Sequence, residues 1–556
     1  MTPDIDYLAL LPLLLVLGAA ILSVLVEAFV PARVRYVTHM VLYLGGLVAA
    51  LVAVVLLAGR HLVTASGAVA VDGPALFLQG AVVLLALAAA PLVGERVPVG
   101  ATAARVPVLA GFAPQAALAP GGDNERAAQR AGVTQTEVFP LVLFATGGLM
   151  LFPAANDLVT LFIALEVLSL PLYVLCGTAR RRRLLSQEAA LKYFLLGAFS
   201  SAIFAYGIAM LYGYAGTVDF AGIAEAVRAG GAGADGSAGG DGLALIGVAL
   251  VTVGLLFKVG AVPFHNWTPD VYQGAPTAIT AFMAAAVKVA AFGAILRFFL
   301  VAVPGLETLW QPVLWAVAAL TMVLGTVVGV TQNDVKRLLA YSSVAHAGFL
   351  LTGVIGGTGA AAVGAAGAGS GLGGSGVSAT LFYLAAYAAS TIGAFAVAGL
   401  VRDSEGAEIT DLRSWTGLGR QQPVVAAAFA VLLLALAGIP LTSGFIAKFA
   451  VFSAAVDAGA VWLVVLGVLS SAIAASFYVR VIVVMFFREA PGAGADAGAA
   501  PHDTAAGAGA PDVAFARRPA TLAVVGVTVA ITLLLGILPQ PLLDLAGAAS
   551  TFTIGG

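Results

Sequence analysis

The chain has 556 residues, 61% of them hydrophobic and 10% charged, with a formal net charge of -2. That composition excludes an ordinary soluble domain and a nucleic-acid binder driven by basic charge, and apolar runs of about 20 residues predict membrane-spanning helices instead. The single cysteine, Cys176, excludes disulfides within the chain and any cysteine-ligated zinc or iron–sulfur cluster.

The first apolar segment, 7–28, follows Asp4 and Asp6 and no basic residue, so it reads as a retained helix and not as a secretory signal. Further spans are predicted at 37–58, 74–93, 137–153, 156–177, 188–213, 243–273, 276–300, 308–331, 337–356, 378–401, 422–456, 460–487 and 518–540. The fold class is therefore an all-α polytopic membrane protein of about 14 transmembrane helices. With the N-terminus outside, the cytoplasmic loops carry 18 of the 26 basic residues and the outer loops carry only Arg60 and Arg228. That asymmetry follows the positive-inside rule and places both termini on the outer side. Residues 94–136, 357–377 and 490–516 are rich in Gly, Ala, Pro or mixed charge and are expected to be flexible loops.

Two spans are interrupted. One carries Lys258-Val-Gly-Ala-Val-Pro263, the other Gly438-Ile-Pro440-Leu-Thr-Ser-Gly444. Proline removes a backbone donor and breaks the turn before it. Paired Gly/Pro breaks in two halves of a membrane protein suggest inverted repeats with a site at the breaks.

The charged residues inside the spans carry the functional signal. Four of the five lysines, Lys192, Lys258, Lys288 and Lys448, lie in predicted helices, and Lys336 is placed in a loop. An ammonium group at mid-membrane costs on the order of 3 kcal/mol on insertion scales. Arginine, which cannot release its proton, mostly fills the loops, whereas a desolvated lysine can release one. This distribution points to proton handling. Glu166 is the one carboxylate well inside a span; it reads as a titrating partner of a lysine, or more plainly as a neutral hydrogen-bonded acid. Lys192, about one turn into the sixth span, has surface snorkelling as its plain alternative. It precedes a small-residue face at Gly197, Ser201 and Ala205. Lys258 lies at the first break, where freed carbonyls can solvate it; the alternative is a helix-terminal dipole contact. Lys288 has no polar neighbour in sequence and must face the interior. Lys448 follows the second break, and His346 is a relay candidate or a structural hydrogen-bonder. His265 and Trp267 read as interface or packing residues, and Arg180 to Arg183 as a topology anchor. Glu166, near mid-membrane, and Lys192, nearer the cytoplasmic end of the next helix, are expected to form a switchable pair, in contact directly, indirectly or through water.

Three runs carry a family resemblance: Ala190-Leu-Lys-Tyr-Phe-Leu-Leu-Gly-Ala-Phe-Ser-Ser201, the stretch from Phe257 to Pro276, and Leu338-Leu-Ala-Tyr-Ser-Ser-Val-Ala-His-Ala-Gly348. Over about residues 137–487 the chain resembles the antiporter-like membrane-arm subunits of proton-pumping NADH–quinone oxidoreductase, respiratory complex I, of the N type. The glycine-rich insert at 357–377 is longer than that family's pattern. The resemblance implies two inverted five-helix repeats with discontinuous seventh and twelfth helices: an N-terminal three-helix segment (1–93), a loop (94–136), a first repeat (137–300), a second (301–487), and a loop with the last helix (488–556). It implies that Glu166, Lys192, Lys258, Lys288 and Lys448 form a proton-transfer axis with His346 on the connecting path. M-type subunits have glutamate where Lys448 stands, and L-type subunits continue into a long lateral helix, whereas this chain is expected to end soon after Pro541. NADH, quinone, FMN and iron–sulfur clusters would be held by other subunits, with no cofactor and no metal in this chain. The implied partners are the M-, K-, J- and A-type membrane subunits and the lipid of a bacterial inner membrane. The alternative function is a subunit of a multi-subunit sodium/proton antiporter. Sodium needs an oxygen-ligand site, which a core with one carboxylate offers poorly.

Overall fold

The computed structural model of the protein describes residues 5–99, 106–115, 117–119, 122–131, 133, 135–230, 240–357, 376–403, 406–488 and 513–553. The chain folds into α1 (Leu11–Phe29), α2 (Ala32–Leu56), α3 (Gly73–Val93), the short α4 (Asp123–Arg130), α5 (Val138–Leu151), α6 (Leu158–Cys176), α7 (Arg183–Ala215), α8 (Phe220–Ala229) and α9 (Gly240–Val259). After an irregular interval come α10 (Trp267–Gly274), α11 (Thr277–Arg297), α12 (Glu307–Thr331), α13 (Val335–Gly356) and α14 (Gly376–Ala398). The last third holds α15 (Leu418–Gln421), α16 (Pro423–Ala437), α17 (Ser443–Asp457), α18 (Val461–Phe487), α19 (Pro519–Ile537) and α20 (Gln540–Ala548). Among the described residues, 12 helices are long and apolar enough to cross a membrane, and Val138–Ala154 and Pro423–Ala437 are shorter apolar helices. Helices dominate because hydrocarbon offers backbone groups no partner, so a spanning segment must satisfy its own hydrogen bonds.

Both expected interruptions are present. The span at 243–273 is α9 and α10, parted at 260–266, and the span at 422–456 is α16 and α17, parted at 438–442. Aspartate caps set several helix starts: Asp72, Asp157, Asp219 and Asp334 accept from the backbone N–H groups of Ala75, Thr160, Gly222 and Arg337. The Asp334 cap starts α13 at Val335, earlier than the expected 337, and so draws Lys336 into the helix.

Burial sorts the helices into a centre and a rim. α11 is buried along its whole length, and α13 and α14 nearly so. α1, α2, α7 and α18 turn large apolar residues such as Phe29, Val41, Phe199 and Trp462 outward. In a membrane-spanning chain that outer surface meets lipid or neighbouring apolar helices.

The described residues of the stretch 94–136 carry more regular structure than its composition suggests. β3 and β4, introduced after the short hairpin β1 (Leu62–Thr64) with β2 (Val69–Val71), are Arg96–Val99 and Val106–Leu109, paired antiparallel. Each contains a Val-Pro-Val triplet, and the partner strand supplies the pairing that sequence alone could not. The segment is pinned by Arg180 N–H to the Gly111 carbonyl (3.0 Å) and by a buried Arg183–Glu125 ion pair (3.4 Å). The expected loops at 357–377 and 490–516 lie largely outside the described residues. At the end of the second, Ala514–Phe515 (β6) pairs with Val401–Arg402 (β5).

One buried ion pair was not anticipated. Arg297, at the end of α11, donates to both oxygens of Asp72 at 2.7 and 2.8 Å and to the Pro153 carbonyl at 2.8 Å. Asp72 also accepts from the Thr553 N–H at 3.0 Å. The pair ties α11, the start of α3 and the C-terminal segment together, and its several hydrogen bonds offset the desolvation of two charges.

Candidate proton-transfer site

The site is built on the two helix breaks. At the first, Gly260 takes a left-handed φ of 72°, and a Cβ there would meet the Thr268 hydroxyl at 2.7 Å, so glycine is required. The break frees carbonyls that a continuous helix would consume. The Val259 carbonyl accepts from Lys288 Nζ at 2.8 Å, and the Phe257 carbonyl from Trp267 Nε1 at 2.8 Å. Lys288 has no polar neighbour in sequence, but it finds this one across the bundle.

Lys258 sits one residue before the freed Val259 carbonyl. Its Nζ donates to Ser169 Oγ at 2.7 Å and lies 3.2 Å from the Tyr193 hydroxyl. The rings of Tyr173 and Tyr193 stand 5.8 and 5.3 Å from the ammonium group, close enough for cation–π attraction. At the second break Gly438 has φ 84°, and a Cβ would press on the Lys448 side chain at 2.9 Å. Leu441 in the same break also adopts a left-handed φ of 70°, local strain in a non-glycine residue. Lys448 Nζ donates to the carbonyls of Leu436 (3.2 Å) and Ala437 (2.8 Å) and to Ser471 Oγ (2.8 Å).

His346 joins these groups. Its Nδ1 is 2.7 Å from the Tyr383 hydroxyl, while its Nε2 is buried without a hydrogen-bond partner among the described residues. The Tyr387 ring lies tilted against the imidazole with centroids 4.9 Å apart; its hydroxyl pairs with Ser343 at 2.8 Å and reaches the Ala284 carbonyl, one turn before Lys288, at 3.5 Å. Lys258, Lys288, His346 and Lys448 are each no more than 5% exposed, so each depends on these protein partners for solvation.

Glu166 and Lys192 stand differently from expectation. Glu166 is half-buried and accepts from Ser201 Oγ at 2.5 Å. Lys192 pairs with Asp270 at 2.8 Å and with Glu188, one turn earlier, at 2.6 Å. No Glu166–Lys192 salt bridge forms among the described residues. The reason is length: Ser201, which meets Glu166, lies nine residues beyond Lys192 on α7, roughly 13 Å along the axis at 1.5 Å per residue. The Glu166 face of α6 meets Lys258 instead. Ser169, one turn after Glu166 on the same face of α6, is that lysine's hydrogen-bond partner. The small-residue stripe of α7 works as packing: Gly197 leaves room for the Tyr173 ring of α6, and Ser201 reaches Glu166.

Lys336 is a buried residue of α13 and not a loop residue. Its Nζ donates to the Ala275 carbonyl at 2.7 Å and approaches Glu408 at 4.0 Å. Burial pushes the Glu408 carboxyl up, but Arg402, Lys336, the Thr277 hydroxyl and Arg182 outweigh this and hold it below the ordinary carboxylate range. Sequence reading also passed over Asp270 and Arg337, whose carboxylate and guanidinium meet at 2.6 Å. The Asp334 cap signal would have found Lys336. Asp270 stood in a quoted motif, with nothing to say which helices would face it. Trp267 packs as expected, stacked on Tyr193 with ring centres 4.6 Å apart.

Known proteins share this architecture. A family model described as "NADH:quinone oxidoreductase/Mrp antiporter, TM" matches residues 155–474. NADH-quinone oxidoreductase subunit N of Rhodococcus opacus is 58% identical, over 99% of this chain and 97% of that protein. A chain of respiratory complex I from Thermus thermophilus superposes with TM-score 0.70 at 31% identity, covering 96% of this chain and 99% of that one. A chain of the Mrp complex from Dietzia superposes with TM-score 0.73 at 25% identity, covering 97% of each. By full-length identity and by fold, the chain belongs to the NADH-quinone oxidoreductase subunit N family of membrane proteins.

Proposed function

We propose that this chain carries protons across the membrane as part of a complex that oxidises NADH and reduces quinone. One observation carries the reading. Three buried lysines, Lys258, Lys288 and Lys448, sit at two helix breaks where hydroxyls and freed carbonyls solvate them, with the buried His346 beside Tyr383 and Tyr387. Such groups can hold a proton at modest cost and pass it on, which a continuous apolar helix would forbid. Glu166 would modulate Lys258 through the face of α6 that it shares with Ser169, one turn on. The NADH, FMN, iron–sulfur and quinone chemistry belongs to companion subunits, with M-, K-, J- and A-type membrane subunits as neighbours.

The two breaks support an inverted-repeat origin. Ser169 follows the cap Asp157 by 12 residues, and His346 follows the cap Asp334 by 12. Asp157 bridges to Asp219 after α7, as Asp334 bridges to Asp411 after α14. The first break receives Lys288 at its freed carbonyl, and the second receives Ser471 at Ala437. The likeness to the Mrp chain keeps sodium/proton antiport as the second reading.

The test is NADH-driven acidification of inverted membrane vesicles containing the whole complex, in sodium-free medium. Lumen acidification is expected without sodium and is expected to fall sharply with Lys448→Met. A strict sodium requirement would favour antiport instead.

Orientation is tested separately. Single cysteines introduced at 184 and near residue 551, in a Cys176→Ser background, are expected to label from the cytoplasm and from outside respectively. Cytoplasmic labelling of both would refute the outward termini.

A further inference from the structure

Two adjacent residues of α7 grip α10. Lys192 Nζ binds Asp270 Oδ2 at 2.8 Å, while the ring of Tyr193 stacks on Trp267 with planes 8° apart. Tyr193 is also the hydroxyl partner of Lys258 at 3.2 Å. Asp270 binds a second cation from the other half of the chain, Arg337 Nη1, through Oδ1 at 2.6 Å. Arg337 also reaches Gln273 Oε1 at 3.1 Å, and Gln273 Nε2 donates to Asp334 Oδ2 at 2.9 Å. Asp334 in turn accepts from the Thr410 hydroxyl, which Arg182 approaches at 3.1 Å. The half-helix after the first break is thus stitched along one face to α7 and to the start of α13. Its other end bears on the aromatic pair beside Lys258.

We propose that Asp270 is the positioning residue through which Lys192 acts: held between Lys192 and Arg337, it fixes α10 so that the Tyr193 hydroxyl stands at Lys258. A carboxylate with one oxygen on each of two cations is a hub, because losing either cation frees α10 to shift toward the other. Trp267 turns such a shift into a change at Tyr193, since stacked rings in a packed core move together or not at all. The proposal rests on Lys258 being a proton carrier only for its effect on pumping; the mechanical link stands apart from it.

The experiment uses the whole complex in vesicles, with Asp270→Asn, Asp270→Glu, Lys192→Met and the Asp270→Asn/Lys192→Met pair. Protons pumped per NADH oxidised are expected to fall about tenfold with Asp270→Asn, within what displacement of a reacting group costs. Asp270→Glu is expected to retain most of the wild-type ratio, which a merely structural defect would not predict. The double variant is expected to pump no less than Asp270→Asn alone. A structure of the Asp270→Asn complex is expected to show the Tyr193 hydroxyl withdrawn from Lys258. A wild-type ratio in Asp270→Asn, losses that multiply in the double variant, or an unmoved Tyr193 each overturn the proposal. Should Asp270→Asn fail to assemble, Arg337→Gln replaces it, with a lowered ratio expected and a normal ratio overturning. If Lys258→Arg pumps normally while Tyr193 moves in Asp270→Asn, the relay reading fails and the positioning link survives.

Discussion

Lys258→Arg is expected to abolish most proton pumping while leaving the complex assembled. Its side chain would still carry a positive charge and could still donate to Ser169 and Tyr193, and the Tyr173 and Tyr193 rings suit a guanidinium at least as well as an ammonium. What arginine cannot do is give its proton away. If Lys258 hands a proton onward, the loss should approach that of deleting an acid–base group, about 100-fold or more. Lys258→Ala should lose pumping as well, by a different route: it empties a packed polar site and removes the donor to Ser169. The contrast between the two variants separates charge from proton transfer. The measurement is protons pumped per NADH oxidised in vesicles, and a normal ratio in Lys258→Arg would remove Lys258 from the relay.

How far the sequence revealed this site depended on the kind of residue. The lysines stood out because a charge in an apolar run needs an explanation whatever the tertiary fold. The breaks stood out because Gly260, Pro263, Gly438 and Pro440 act locally, on their own backbone. The partners were hidden. Ser169, Tyr193, Tyr383 and Ser471 are ordinary in a membrane helix, and their roles come from which helices pack together. Lys288 looked isolated because its partner is the Val259 carbonyl, which carries no side-chain signal. The expected Glu166–Lys192 pair already places the two at different heights, with an indirect or water-borne contact; what the sequence does not show is the direct partners that Lys192 finds instead. Lys192 sits near one end of α7, and the break lets α10 bring Asp270 to it. The segment after residue 94 misled in the opposite sense, since its composition argued for disorder while a strand pair and a buried ion pair supply local order.

The second large effect follows from that corrected pairing. Glu166→Gln is expected to lower pumping strongly and to interact with Lys258 more than with Lys192. Glu166 lies one turn before Ser169, the residue that accepts from Lys258 Nζ, on the same face of α6. Its removal withdraws a negative charge from the neighbourhood of an ammonium group that has little other counter-charge. In low dielectric that exchange is felt strongly, because screening by water is weak. Residues in one network typically show interaction energies of roughly 0.5–3 kcal/mol in double-mutant cycles. Glu166→Gln combined with Lys258→Met should therefore fall well short of multiplying the two separate losses. Glu166→Gln combined with Lys192→Met should couple more weakly than Glu166→Gln with Lys258→Met, because their direct partners differ and the two meet only at Lys258. Glu166 holds Ser201, whereas Lys192 holds Glu188 and Asp270. The assay is the same proton-to-NADH ratio, taken on complexes matched for assembly, because residues acting as a unit are grossly non-additive and a poorly assembled variant would mimic that. Multiplying losses for Glu166 with Lys258, together with strong coupling of Glu166 to Lys192, would restore the pairing of consecutive helices and defeat the arrangement seen here. A neighbouring subunit that changed the charge or hydration around Glu166 would then act on Lys258 without touching Lys192, so the first proton step and the grip on α10 would be separately controlled.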